Sequence, residues 1–476
     1  MRIVILGAGQ VGASVAESLV SEDNDITIVD SDRERLQFLQ DRLDLRTVTG
    51  NAALPSTLRD AGAADADLLI AVTQSDQTNL VACKLAHGVF NVPTRIARLR
   101  SADFLESPAL LAPENFAVDF AICPEQEITE YITRLIEFPE ALQVLGFAGD
   151  RVALVAVRAY ADGLLVGKPI KEMRAHLSQE VDARIAAIFR RDRAITPSGD
   201  TRIEDGDEVF VLAAEEHIRP IMREMRRMLT PVRRIMIAGG GNIGLRVAQA
   251  LEASHRIKVV EGSKARAEVI AGTLKSALVL CGDATDEGLL EKEGIEEMDL
   301  FLALTNDDED NIMAASLAKR LGAKRVLALI NRRAYADLVQ GGPIDIAISP
   351  AQVSIGTLLA HVRHGDVAQV HSLRRGAAEA LEIVAHGDRR SSQVVGQRIG
   401  DLPLIPGATI AAIVRDLDHY EDLAYDGMAK RKRRGRVVMA HKDVVIEAGD
   451  HVIVFCLNKK VVKKVEKLFA VGFHFF

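Results

Sequence analysis

Two short glycine runs carry the residue types and spacing that could hold a phosphate. Gly7-Ala8-Gly9-Gln10-Val11-Gly12 follows an apolar run near the N-terminus, and Gly239-Gly240-Gly241-Asn242-Ile243-Gly244 follows another far downstream. In a strand-turn-helix unit the first glycine permits a tight turn, the second lets a pyrophosphate approach the backbone, and the third lets the helix pack close to the strand. The helix N-terminus then offers free N–H groups and a partial positive charge. An acid ending the second strand accepts hydrogen bonds from a ribose diol. Asp30 lies 18 residues after Gly12 and Glu261 lies 17 after Gly244. Such acids repel a 2'-phosphate, so the pattern favours NAD(H) or an adenine nucleotide such as ATP or ADP over NADP.

One glycine motif is a weak signal, but this one recurs in register. Gly7 and Gly239 are 232 residues apart, as are Gly12 and Gly244. Gly50-Asn51-Ala52 answers Gly282-Asp283-Ala284, and residues 67–79 answer residues 299–311, all at that same offset. The chain is therefore an internal duplication. In the first copy, apolar runs predict strands over residues 3–6, 26–29, 47–49, 68–72, 95–99 and 120–123. Val15, Ala16, Leu19 and Val20 have the spacing of a helix covering a sheet. That rhythm means a doubly wound parallel sheet, so each half opens with a Rossmann-like α/β domain.

Ligands of such sheets lie beyond the carboxyl ends of the strands. Thr73, Gln74, Thr305 and Asn306 follow the fourth strands there, and Asn51, Ala52, Asp283 and Ala284 join the candidates from the third. An N-cap role for Ser75, Asp76, Asn306 or Asp307 is an equally ordinary reading. Asp283, Asp307, Asp308 and Asp310 read as a solvated helix start rather than a cation site.

Each Rossmann-like domain precedes a smaller, turn-rich α+β segment, and these segments also repeat: Gly167 answers Gly396, Ile185 answers Ile410 and Glu204 answers Glu447. The expected domains are residues 1–140, 141–230, 231–372 and 373–476. Gly-Asp between alternating runs, at Gly206 and Gly449, reads as a hairpin turn. Residues 218–234 form a basic amphipathic stretch with Ile221, Met225, Met228 and Leu229 on one face. The offset is 225 at Ile185 and Ile410 but 243 at Gly206 and Gly449, so the second copy carries 18 extra residues between Leu417 and Arg436. They include Lys430-Arg431-Lys432-Arg433-Arg434, expected in a surface loop.

At 476 residues the chain exceeds what one core serves. A net charge of −8 argues against nucleic acid as partner. No apolar stretch approaches the roughly 20 residues of a membrane span, which predicts a cytoplasmic protein. Cys83, Cys123, Cys281 and Cys456 form no CxxC pair and read as reduced and buried.

A dehydrogenase needs a proton donor or base beside its nicotinamide. No His-Asp or Tyr-Lys set repeats between the copies, and His361, His364 and His371 read as surface residues. A nucleotide site kept without chemistry points to sensing, with no metal and no catalytic residue. A dehydrogenase-like enzyme and a redox-sensing transcription regulator remain open alternatives. The second would need a helix-turn-helix, and none is legible.

The stretches "MRIVILGAGQVG", "LLIAVTQSDQTN", "IMIAGGGNIG", "GDATD" and "LALTNDDEDNIMAASLAKRLGAKRVLALINRRAY" together resemble the TrkA family, cytosolic regulatory subunits of bacterial Trk potassium uptake systems. The resemblance runs end to end in the order of tandem RCK domains, each a nucleotide-binding part followed by a C-terminal subdomain. It implies NAD(H) or adenine nucleotides at Gly7 to Val11, Asp30, Thr73, Gln74 and Arg98, and at Gly239 to Ile243, Glu261 and Thr305. It also implies a homotetrameric ring, peripheral on the inner face of the membrane, beneath a potassium transporter subunit of the TrkH or TrkG kind. Arg98 becomes Leu329 in the second copy, so the sites are expected to differ in affinity or ligand. The 18-residue insertion lies outside the pattern expected of the family.

Overall fold

The computed structural model describes residues 1–20, 24–178, 180–191, 193–226, 231–339, 342–362, 367–373, 378–403, 405–417 and 435–471. The basic run Lys430 to Arg434, with Met228, Leu229 and His364, lies outside the described residues.

Apolar runs bounded by turns form β1 (Arg2–Leu6), β2 (Asp25–Asp30), β3 (Arg46–Thr49), β4 (Leu68–Ala71), β5 (Thr94–Arg98) and β6 (Phe120–Ile122). They pair in parallel in the order β3-β2-β1-β4-β5-β6. Central β1 and β4 are almost wholly buried, as strands covered on both faces must be. The helix Gln10–Val20 turns Val11, Val15, Ala16 and Leu19 inward. Strand order reverses between β1 and β4, which opens a crevice at their carboxyl ends.

Next come β7 (Ala141–Phe147), β8 (Val152–Arg158), β9 (Ala183–Arg190), β10 (Arg193–Ile195) and β11 (Glu208–Ala214), an antiparallel sheet ordered β10-β9-β11-β8-β7. The parallel pattern then returns with β12 (Arg234–Ala238), β13 (Arg256–Glu261), β14 (Leu278–Cys281), β15 (Leu300–Ala303), β16 (Val326–Leu329) and β17 (Ile346–Ile348), ordered β14-β13-β12-β15-β16-β17. Finally β18 (Val367–Leu373), β19 (Ala378–Val384), β20 (Ala408–Arg415), β21 (Arg436–Met439) and β22 (His451–Cys456) repeat the antiparallel sheet as β18-β19-β22-β20-β21. The fold is two Rossmann-like parallel sheets, each followed by a small antiparallel one.

The chain forms two compact units. The first is Met1–Glu127 together with the helix Pro350–Val362, which packs beside the helix Gln10–Val20. The second holds residues 128–349 and the described residues beyond Val362. Inside it the two antiparallel sheets share one core, with Phe147, Phe210 and Leu212 of one against Ile453, Phe455 and Ala412 of the other. Polar bonds cross that core: Ala148 N donates to Glu382 Oε2 at 2.7 Å, and Glu382 Oε1 bonds His451 Nδ1 at 2.6 Å.

Four expectations need correction. Gly206 and Gly449 do turn, with φ of +85° and +83°. Neither joins neighbouring strands, because β11 lies between β9 and β8, and β22 lies between β19 and β20. The adjacent aspartates instead anchor the sheets: Arg190 Nε and Nη2 donate to Asp207 at 2.8 and 2.9 Å, and Arg415 does the same to Asp450. The amphipathic helix spans Glu215–Met225, and Arg234 opens β12. Cys281 is exposed at the end of edge strand β14, while the other three cysteines are buried. His361 stacks on Phe120 with ring centroids 3.7 Å apart, and the half-buried His371 bonds Gly146 O through Nε2 at 3.0 Å, so neither is a free surface residue.

Candidate functional site

Each glycine turn begins where a parallel strand meets its helix. Gly7 N donates to Val29 O at 2.7 Å and Gly239 N to Val260 O at 2.8 Å, tying each turn to the second strand. Their φ angles of +107° and +98° lie where a side chain is strained. A Cβ on Gly7 would stand 3.0 Å from Thr73 N, so the turn lies hard against the end of β4. A Cβ on Gly12 would fall 1.8 Å from Gly7 O, and on Gly244 1.9 Å from Gly239 O. The first and third glycines are thus required by the protein itself.

The middle glycines are not. Apart from the two chain neighbours, no protein atom among the described residues lies within 4 Å of where a Cβ on Gly9 or Gly241 would sit. Both immediately precede a helix, Gln10–Val20 and Asn242–Leu251, whose first N–H groups lack intrahelical partners. Open space at a helix N-terminus, kept clear by a glycine that packing does not demand, suits a phosphate. Val11 is buried in the first turn and Ile243 half-buried, while Gln10 and Asn242 are exposed. A Cβ on Gly240 would meet Ile270 Cδ1 at 2.1 Å, whereas the first copy accommodates Ala8.

The two acids are held on these turns. Asp30 Oδ2 accepts from Ala8 N at 2.6 Å and its Oδ1 from Asp32 N at 2.8 Å. Glu261, one methylene longer, accepts from Gly240 N and Ser263 N, both at 2.8 Å. A carboxylate has about four lone-pair sites, so each retains capacity for a ribose hydroxyl. The turns after β3 and β14 join them, with Gly50 N on Asp30 O at 2.9 Å and Gly282 N on Glu261 O at 3.0 Å. Asn51 Oδ1 accepts from Ala53 N, and Ala52 is buried. Asp283 Oδ1 accepts from the amide and hydroxyl of Thr285, which hold its carboxyl below the usual range, and Ala284 is half-buried beside it.

Beyond β4 and β15 the geometry repeats through residues that motif reading passed over. Asn79, fully buried, accepts from Thr73 N at 3.0 Å and Thr73 Oγ1 at 2.7 Å, and donates to Arg98 O at 2.8 Å. Asn311 does the same for Thr305 and for Leu329 O. The signal was available: an asparagine six residues after the threonine in both copies, on an otherwise packed helix face. Ser75 and Asp307 are the N-caps, accepting from Thr78 N and Asp310 N. Asp76 and Asp308 open the helices Asp76–Gly88 and Asp308–Arg320 as buried acceptors, Asp76 for Arg100 N and Ser101 N, Asp308 for Asn331 N and Arg332 N. Asp308 is therefore not part of a solvated helix start. Gln74 and Asn306 are exposed at the same edge. Among the described residues no group of three or more His, Cys, Asp or Glu side chains could hold a metal.

Arg98 ends β5 and donates through Nη2 to Glu125 Oε1 at 3.0 Å; Arg100 Nε reaches the same oxygen at 3.3 Å. Leu329 takes the place of Arg98 by two independent measures. Asn311 bonds its carbonyl, and it pairs with Ile348 as Arg98 pairs with Ile122.

Comparison with known proteins fits this duplicated geometry. The TrkA-N domain model matches residues 3–114 and again 235–350, and the TrkA-C domain model matches residues 154–226. The chain belongs to the TrkA family. It is 53% identical over 476 residues to a Trk system potassium uptake protein TrkA of Halomonas elongata, covering all of both chains, and 52% identical over 470 residues to that of Vibrio alginolyticus, covering 98% of each. In fold, the chain resembles the GsuK RCK domain, with a TM-score of 0.59 at 16% identity over 98% of this chain and 94% of that one. A GsuK channel bound to NAD gives a TM-score of 0.59 at 16% identity over 98% of this chain and 78% of that chain. At that identity the likeness is one of fold.

Proposed function

We propose that this TrkA-family chain is a nucleotide-sensing regulatory subunit that gates a membrane potassium transporter. NAD(H), ATP or ADP would bind the two glycine turns, with pyrophosphate at Gly9 and Gly241 and ribose at Asp30 and Glu261. The observation that carries this is the pair of middle glycines, open to space in a turn whose other glycines are fixed by packing. The TrkA-N match over both copies and the Trk potassium uptake relatives support it.

A sensor acts only if its ligand favours one conformation and another molecule reads the difference. Among the described residues no helix is long and apolar enough to cross a membrane, so conduction would belong to a separate multi-pass subunit of the TrkH or TrkG kind. The chain would lie on the cytoplasmic face of the membrane as a homotetramer. The chain would bind nucleotide without turning it over, since no His-Asp or Tyr-Lys set repeats between the copies.

Calorimetry of purified full-length protein with NAD, NADH, ATP and ADP tests the reading. Binding of at least one, lost in the Asp30→Ala, Glu261→Ala double variant, is expected. Absence of binding by all four, or steady NADH oxidation with a small substrate, would overturn it.

A further inference from the structure

The helix Lys459–Phe469 holds five lysines and one acid in eleven residues. Val461, Val462, Val465, Leu468 and Phe469 are buried where it packs on β19, β20 and β22. Lys460, Lys463, Lys464 and Lys467 are all exposed. Steps of three and four residues set these lysines in one stripe about 10 Å long, on the side away from the sheet. Glu466, the one acid, is half-buried beside the stripe. Among the described residues no carboxylate pairs with Lys460, Lys464 or Lys467.

Helix stability does not account for the stripe. The first turn has no acid, and lysine there opposes the helix dipole. The first copy, moreover, closes the matching face. At the offset of 243, Lys464 and Lys467 answer Ile221 and Glu224, both buried, and Glu224 bonds His176 Nδ1 at 2.8 Å. His217 and Pro220, which answer Lys460 and Lys463, are half-buried. One copy covers this face with its own chain, whereas the other charges it and leaves it exposed.

The kind of charge narrows what the stripe meets. Lysine is a compact point charge without the planar fork by which arginine grips one carboxylate or phosphate, so lysines in line suit a continuous field of negative charge. The net charge of −8 sets the molecule as a whole against such a surface, so the attraction has to be local. Three of the five residues that follow Val471 in the sequence are phenylalanine, Phe473, Phe475 and Phe476, and they lie outside the described residues. Basic charge next to apolar rings is the composition of segments that rest at a lipid interface. An acidic protein surface has no need of the rings.

We propose that the lysine stripe of Lys459–Phe469 docks on the anionic headgroups of a membrane. This deepens the membrane-side reading given above and rests on it, but it requires no transporter subunit.

The test mixes full-length protein with vesicles of phosphatidylcholine alone, or of equal parts phosphatidylcholine and phosphatidylglycerol, and reads the bound fraction by sedimentation. Binding to the anionic vesicles alone, falling as salt rises, is expected. Lys460→Gln, Lys464→Gln and Lys467→Gln together should weaken it at least about tenfold. Melting and nucleotide binding should stay as in the parent. Lys168→Gln, Lys275→Gln and Lys292→Gln, at lysines that are also exposed, change the net charge equally and should leave binding nearly intact. No binding of the parent to anionic vesicles, or equal weakening by the two triple variants, overturns the proposal. Binding of the parent to polyglutamate but not to vesicles overturns it in favour of an acidic protein partner. A parent that fails on vesicles yet sediments with cell membranes is held by its partner subunit and keeps the membrane-side reading; one found on neither loses both.

Discussion

Asn79 donates from Nδ2 to the carbonyl of Arg98 across 2.8 Å, stitching the end of β4 to the end of β5 from inside the following helix. The amide is completely buried and also takes both polar hydrogens of Thr73, so it fixes the wall of the crevice that the glycine turn faces. Asn79→Ala leaves buried backbone groups without partners, at about 1–3 kcal/mol each. Chemical denaturation should show a loss of that order, and nucleotide binding at the first site should fall while the second is retained. Asn311→Ala should give the mirror result. Equal loss at both sites in either variant would contradict the assignment.

Gly9 and Gly12 should respond oppositely to the same methyl group. Gly12→Ala puts Cβ 1.8 Å from Gly7 O, so the folded turn cannot form unaltered and the thermal midpoint should drop. Gly9→Ala meets nothing described within 4 Å beyond its chain neighbours and should melt as the parent does, yet bind nucleotide more weakly. Parallel melting and binding curves on the two variants decide this.

The half-buried His371 should make the chain acid-sensitive. Burial pushes its imidazole down to about 4, although its bond to Gly146 O opposes the shift and Arg134 adds repulsion. An unfolded histidine titrates near about 6.5, so between those values the unfolded chain holds the extra proton. Stability then falls as pH falls through that window, by about 3 kcal/mol near its lower end. His371→Gln should flatten that part of the profile of melting temperature against pH relative to the parent. Identical slopes would show that the imidazole does not carry it.

The paired arginine anchors should be costly to break from one side. Asp207 and Asp450 are 1% exposed, and their loss leaves Arg190 with only Glu204 and the Arg202 carbonyl, and Arg415 with only Glu447 and the Val445 carbonyl. Asp207→Ala and Asp450→Ala should each lose about 1–3 kcal/mol in denaturant melts, whereas removing arginine and aspartate together should lose less.

Much of this was written in the chain. Both parallel sheets followed from apolar runs and a constant offset, and both acids fell on the turns that their spacing implied. What escaped was long-range. Gly206 and Gly449 declare a turn through their φ angles, but strand neighbours are chosen by sheet order, which a dipeptide does not encode. The helix Pro350–Val362 is apolar on nearly every side, so its pattern could not say which sheet it covers. Asn79 and Asp76 lie within the motif that drew attention to Thr73, but hydrophilic residues at a helix start read as solvated until the partners 19 to 25 residues downstream are seen.

The helix Pro350–Val362 also bears on how the polypeptide can be cut. It contributes Ile355, Leu358 and Leu359 as buried residues to a unit whose other described residues all lie among the first 127. A fragment ending at the linker before β12 would keep every motif of the first copy and still lack one wall of its own core. The duplication is thus not a pair of detachable modules. Splitting the gene between its repeats should give an N-terminal piece prone to aggregation when made alone, rescued by co-expression of the remainder, because complementation restores the missing helix without a peptide bond.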